Sequence, residues 1–124
     1  MSYNSQNLFA KIIRKEIPCN KFYEDERVIA FYDISPVAPI HILVLPKGEY
    51  ISFDDFVSKA AAIDVANFFQ TIQKIANQAG VVANGYRLIM NHGANASQTI
   101  DHFHVHIIAG KALGGLISTD KHIR

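Results

Sequence analysis

Apolar and polar positions change period several times along the 124-residue chain, and each change predicts an element. Leu8, Phe9, Ile12 and Ile13 make the apolar side of a short helix that Ser5 can cap and that runs to about Arg14. Ile17-Pro18 ends it. Strands are predicted over 21–24 and 28–33, joined by the charged turn Asp25-Glu26-Arg27. The prolines of Ser35-Pro36-Val37-Ala38-Pro39 make a rigid connection, and an apolar strand over 41–45 follows, stopped by Pro46. Val65, Phe68, Phe69, Ile72, Ile75, Ala76 and Ala79 then recur at helical spacing, with Gly80 as the stop. A strand over 86–91 and a polar loop over 92–99 lead into His102-Phe103-His104-Val105-His106-Ile107-Ile108, which alternates strictly and reads as a last strand. One helix, three strands, one helix and two strands predict a single α+β domain over 1–124. Its expected form is a largely antiparallel five-stranded sheet with two helices.

The alternation in the last strand has a chemical consequence. Successive side chains of a strand point to opposite faces, so His102, His104 and His106 are expected on one side and Phe103, Val105 and Ile107 in the core. An imidazole titrates near neutrality and serves as nucleophile, acid, base or metal ligand. Three readings compete for the triplet: a structural cluster, a metal site, and covalent catalysis at phosphorus with the central imidazole attacking. No CxxC accompanies it, and Asp33 and Asp101 stand at no fixed spacing from it.

Composition narrows the setting. About half of the chain is apolar, and the net charge of +1 gives no basic field for nucleic acid. Cys19 is the only cysteine, which leaves no intramolecular disulfide and fits a reducing compartment. No apolar run approaches a membrane span, and Met1-Ser2-Tyr3-Asn4-Ser5-Gln6 lacks a signal-peptide core, so a cytoplasmic protein is expected. The wide apolar stripe of the long helix predicts burial against the sheet and against a partner chain, a homodimer being the simplest case.

The triplet segment resembles the signature of the histidine-triad (HIT) nucleotide-binding family, histidine–apolar repeated three times. Three further segments resemble that family in order. They are Leu8-Phe9-Ala10-Lys11-Ile12-Ile13-Arg14-Lys15-Glu16-Ile17-Pro18, the run Phe31-Tyr32-Asp33-Ile34-Ser35-Pro36-Val37-Ala38-Pro39-Ile40-His41-Ile42-Leu43-Val44-Leu45-Pro46-Lys47, and Tyr86-Arg87-Leu88-Ile89-Met90-Asn91 with Gly93 and Ser97-Gln98-Thr99. The likeness spans about residues 7–110 and is greatest to the Hint-like branch of purine nucleoside phosphoramidases. It implies a HIT-like fold and a hydrolase of purine nucleoside 5′-phosphoramidates and adenylates, acting through a nucleotidyl-histidine. His104 would be the nucleophile, and His102 and His106 would hold phosphoryl oxygens and set its tautomer. His41 would complete the proton network. Asp33 would bind the ribose hydroxyls, Phe9, Ile12, Phe31 and Ile34 would enclose the base, and Asn91, Ser97, Gln98 and Thr99 would surround the phosphate. An AMP-type substrate is implied, with neither metal nor cofactor. A dinucleoside polyphosphate hydrolase and a nucleotide-binding regulator are the alternatives. Several positions depart from the pattern. Gly48-Glu49-Tyr50 stands where a histidine is frequent, and Asn7-Leu8-Phe9-Ala10 where zinc-binding relatives carry a cysteine pair. Ser97 replaces a frequent glycine and Thr99 a frequent serine, and residues 111–124 have no counterpart.

Overall fold

The computed structural model describes residues 2–116. Strands β1 (Lys21–Glu24), β2 (Val28–Tyr32), β3 (Ile40–Pro46), β4 (Tyr86–Ile89) and β5 (Val105–Ala109) form one antiparallel sheet in the order β1-β2-β3-β5-β4. The central strand, β3, is the most continuously buried, as a strand covered on both faces must be, and its neighbours β2 and β5 are nearly so. Helices α1 (Leu8–Ile13), α2 (Phe53–Lys59) and α3 (Ala62–Gln78) complete the α+β domain.

Three helices stand where two were expected. The missed helix, α2, buries only Phe56, so it has no apolar stripe for periodicity to detect. Its signal lies in its cap instead. Ser52 Oγ accepts from the Asp55 N–H, and the Asp55 carboxylate accepts from the Ile51 N–H, a reciprocal arrangement of the capping-box kind. At α1 the cap is Asn7, whose side chain accepts from the Ala10 N–H at 2.9 Å, and not Ser5. Asn7 stands immediately before the helix, where an N-cap side chain can reach that donor.

Each face of the sheet has its own core. One carries Val44, Val105 and Ile107 against Phe68, Ile72, Ile75 and Ala76 of α3, with Phe56 of α2 stacked on Phe103 at 5.1 Å. The opposite face carries Ile29, Phe31, Leu43 and Leu45 under Phe9 and Ile12 of α1. The predicted stripe of α3 is therefore largely consumed within the chain. β5 begins at Val105, three residues later than expected, because the main chain at Phe103 pairs instead with the loop before α2, its N–H donating to the Tyr50 carbonyl at 2.7 Å.

Register positions the histidines. Leu43 pairs with His106 and His41 with Ile108, so His41 and His106 are diagonal neighbours on the face that α1 partly covers. At the end of β5, Gly110 has φ +97°, and a Cβ there would lie 2.9 Å from the Pro39 ring. Glycine permits both the turn and the close approach of the Pro39-Ile40 segment that opens β3.

Candidate active site

Main-chain partners determine where each imidazole holds its proton, because a carbonyl only accepts and an N–H only donates. His104 Nδ1 lies 2.7 Å from the His102 carbonyl and donates to it. A neutral His104 therefore has its lone pair on Nε2. His41 Nδ1 accepts from the Val37 N–H at 3.2 Å, so its proton sits on Nε2 and points at His106 Nδ1, 2.9 Å away. His106 must then carry its proton on Nε2. The site presents a lone pair from His104 beside an N–H from His106, the two rings edge to face at 5.2 Å.

All four imidazoles are held neutral at neutral pH. Burial is the main cause in each case and pushes His102 and His106 down to about 4. Burial also lowers His41 and His104, while the Asp33 charge opposes the shift at His41, His104 and His106.

His102 departs from the expected geometry. Its side chain is fully buried, donates from Nε2 to the Pro46 carbonyl at 2.7 Å, and accepts at Nδ1 from the Tyr3 hydroxyl at 2.6 Å. It cannot hold a phosphoryl oxygen while both nitrogens are engaged in this way. Its contribution to the tautomer of His104 comes through its carbonyl rather than its ring. The rings differ in their partners: that of His102 is taken up by the Pro46 carbonyl and the Tyr3 hydroxyl, whereas those of His104 and His106 lie edge to face.

An apolar cavity of about 250 Å³ opens beside His104. Phe9 links the two, with its ring edge to face at 4.9 Å from His104 and 5.6 Å from Phe31. Phe9, Ile12, Phe31, Asp33 and Ile34 all line it, Ile34 as an exposed rim residue. Leu8, Ile17, Pro18, Cys19, Tyr32, Leu43 and Ile100 complete the wall. Those seven carry no chemical signal in the sequence. Asp33 Oδ1 accepts from the Ser35 N–H at 2.8 Å, and Oδ2 lies 3.5 Å from His41 Nε2.

The loop after β4 is arranged differently from the expectation for a phosphate cradle. Gln98 donates to the Ile51 and Ile100 carbonyls and accepts from the Gly93 N–H, so its amide braces the loop. Ser97 and Thr99 are exposed and Asn91 is half-buried. Ser97 sits at φ +60°, a conformation that glycine adopts without strain, which is the physical meaning of serine at a position where glycine is frequent.

Asp33, His41 and His106 each bring one donor atom to within 4.8 Å of the others. They do not fit a metal as arranged. Ligation through His41 Nε2 would move its proton to Nδ1, which faces the Val37 N–H, and donor would then oppose donor.

Residues 14–113, which include all five strands and the triad, match the HIT domain. The chain is 53% identical over 118 residues to a HIT-like protein of Rickettsia prowazekii (strain Madrid E), covering 95% of this chain and 98% of the relative. It is 40% identical over 113 residues to the purine nucleoside phosphoramidase of Escherichia coli (strain K12), covering 91% and 94%. A histidine triad protein from Clostridium difficile, 44% identical, superposes with a TM-score of 0.83 over 92% of this chain and 98% of that one. Sequence, sheet and histidine geometry agree, and the chain belongs to the HIT family.

Proposed function

We propose that the protein hydrolyses purine nucleoside 5′-phosphoramidates and related adenylates at the α-phosphorus. The observation that carries this reading is the free Nε2 lone pair of His104, fixed by the His102 carbonyl, with Phe9 packed between His104 and an apolar cavity that Asp33 helps to line. At about 250 Å³ the cavity is smaller than the ~300–1,000 Å³ typical of drug-sized sites, which suits one heterocycle with its sugar at the edge. Asp33 would accept from the ribose hydroxyls. The relative in Escherichia coli, named a purine nucleoside phosphoramidase, supports the substrate class.

The chemistry proceeds in two displacements. His104 Nε2 attacks phosphorus and the P–N bond breaks, leaving a nucleotidyl-imidazolium whose positive charge lies against the His102 carbonyl. His106 donates its Nε2–H to a phosphoryl oxygen and, kept neutral by burial, stabilises charge without giving up a proton. The departing amine takes its proton from solvent by way of the Thr99 hydroxyl. Water then attacks phosphorus, the P–N bond to His104 breaks, and the water proton returns to solvent.

A homodimer is part of this proposal. The support lies at β4, an edge strand that pairs on one side only among the described residues, where Leu88 and the flanking Val82 and Met90 are 43%, 51% and 42% exposed. Light scattering should return twice the 13.8 kDa chain mass at micromolar concentration, and a monomer would remove this part.

Mass spectrometry of protein quenched during turnover of an adenosine phosphoramidate tests the main reading. A nucleotidyl adduct is expected on His104. His104→Ala should abolish both adduct and turnover while keeping nucleotide affinity within about tenfold, or ~1.4 kcal/mol. Substantial turnover by the alanine variant would exclude His104 as nucleophile. Tight binding with no turnover by the wild type would favour a nucleotide-binding regulator.

A further inference from the structure

His102 belongs to the triad yet has both ring nitrogens engaged within the protein, and the group that meets its Nδ1 comes from the other end of the chain. Its Nε2–H is taken by the Pro46 carbonyl, which leaves the Nδ1 lone pair of a fully buried ring in need of a donor. The Tyr3 hydroxyl supplies it at 2.6 Å, and the Tyr3 ring packs edge to face on the imidazole at 5.6 Å. The segment carrying Tyr3 is pinned to α1. The Asn7 N–H and side-chain amide both donate to the Asn4 carbonyl, and the Arg14 guanidinium donates to the Ser5 carbonyl at 2.8 Å. His102 in turn offers its carbonyl to His104 Nδ1. Tyr3, His102 and His104 thus stand in series, a hydroxyl holding a ring whose own main chain holds the nucleophile.

We propose that Tyr3 is a positioning residue for the active centre. Its hydroxyl holds His102 in one neutral orientation, and through the His102 carbonyl it keeps His104 in the tautomer that leaves Nε2 unprotonated. The part concerning turnover rests on the functional reading above, whereas the part concerning the His104 tautomer does not. Without the hydroxyl, a buried Nδ1 is left unpaired, and the ring relieves this by turning toward solvent or taking up a proton. Either change disturbs the residue 102 carbonyl. The charged and titratable groups around this contact are His104 beside His102, and Glu49 and Arg14 beside Tyr3.

Tyr3→Phe tests the proposal, since it retains the ring and removes only the hydroxyl. Two-bond 1H–15N spectra of the resting protein should show His104 as a single Nδ1–H tautomer in the wild type and as a mixture in the variant, with the His102 Nδ1 resonance moving toward that of an unbonded imidazole. With an adenosine phosphoramidate, kcat should fall roughly tenfold and KM stay within about twofold, as for an interaction felt only in the transition state. A purely structural Tyr3 would lower the melting temperature and leave kcat and the His104 tautomer unchanged. An unchanged kcat, or an unchanged His104 tautomer, overturns the proposal. Should the wild type not turn over phosphoramidates, the functional reading fails separately. The tautomer alone then decides for or against Tyr3.

Discussion

Lowering the pH from 7 to 4.5 should remove about 2–3 kcal/mol of folding stability through His102 alone. Its ring is fully buried, and burial lowers it from 6.5 to about 4. The unfolded chain therefore takes up this proton first. The contribution is complete above pH 6.5 and is lost progressively as pH falls toward 4. At pH 4.5 the unfolded histidine is two decades into protonation while the native one has barely begun, and at ~1.36 kcal/mol per decade the linkage comes to about 2–3 kcal/mol. Against a total of ~5–15 kcal/mol for a domain, this is a large share. His41, His104 and His106 act in the same direction, so the His102 part must be isolated by comparison. The strongest carboxylate shift does not interfere. Glu24, held at about 2 by Lys47 and Lys21, loses its contribution only as pH falls below about 4.5. Urea unfolding followed by circular dichroism suits a chain that has no tryptophan. Between pH 7 and 4.5 the wild type should lose about 2–3 kcal/mol more than His102→Gln, whatever the absolute stability of the variant. Parallel pH profiles for the two proteins would refute the reasoning, because they would mean that His102 protonates at similar pH whether folded or unfolded.

Activity on an adenosine phosphoramidate should survive exhaustive EDTA, since the His41 tautomer set by the Val37 N–H opposes ligation at Asp33, His41 and His106; loss restored by zinc would revive the metal reading. Thr99→Val should slow alkylamine phosphoramidates far more than adenylates with an acyl phosphate leaving group, because only the amine needs a proton, and a positioned donor is worth ~10²–10⁴ in rate. Equal slowing of both would leave Thr99 a loop residue. Phe56→Ala should cost about 3–5 kcal/mol in urea unfolding, as Phe56 is 2% exposed and packs on Tyr50, Phe68 and Phe103. A cost below about 1 kcal/mol would show that the α2 contact closes without a cavity.

How legible these features are depends on the physics that carries them. β3 and α3 were readable because burial imposes a period on many side chains at once. α2 was not, since Phe56 alone anchors it. The candidate catalytic residues His41, His104 and His106 could be named from residue type and resemblance, as could Phe9, Phe31 and Asp33. Their proton positions could not, because the deciding partners of His41 and His104 are main-chain groups of Val37 and His102 that almost any residue type would supply. That the His102 ring is engaged within the protein could not be read either, because its Nε2 partner is the main-chain carbonyl of Pro46. Tyr3 lies 99 positions from its partner, and no local pattern reports such a contact.

The β3–β5 register has a consequence for quality control of the chain. His41 and His106 lie on one face because Leu43 pairs with His106, and the same pairing sends Ile42 and Ile107 into the opposite core. A slip of one residue on β5 would carry His106 under α3 and bring Ile107 out toward the cavity, since every side chain of the strand would change sides. A form misregistered by one residue thus cannot retain the imidazole pair. Molecules that trap nucleotide on His104 with the His106 N–H in place would be molecules whose central strands have paired correctly, so the active fraction of a preparation would serve as a count of correctly registered sheets.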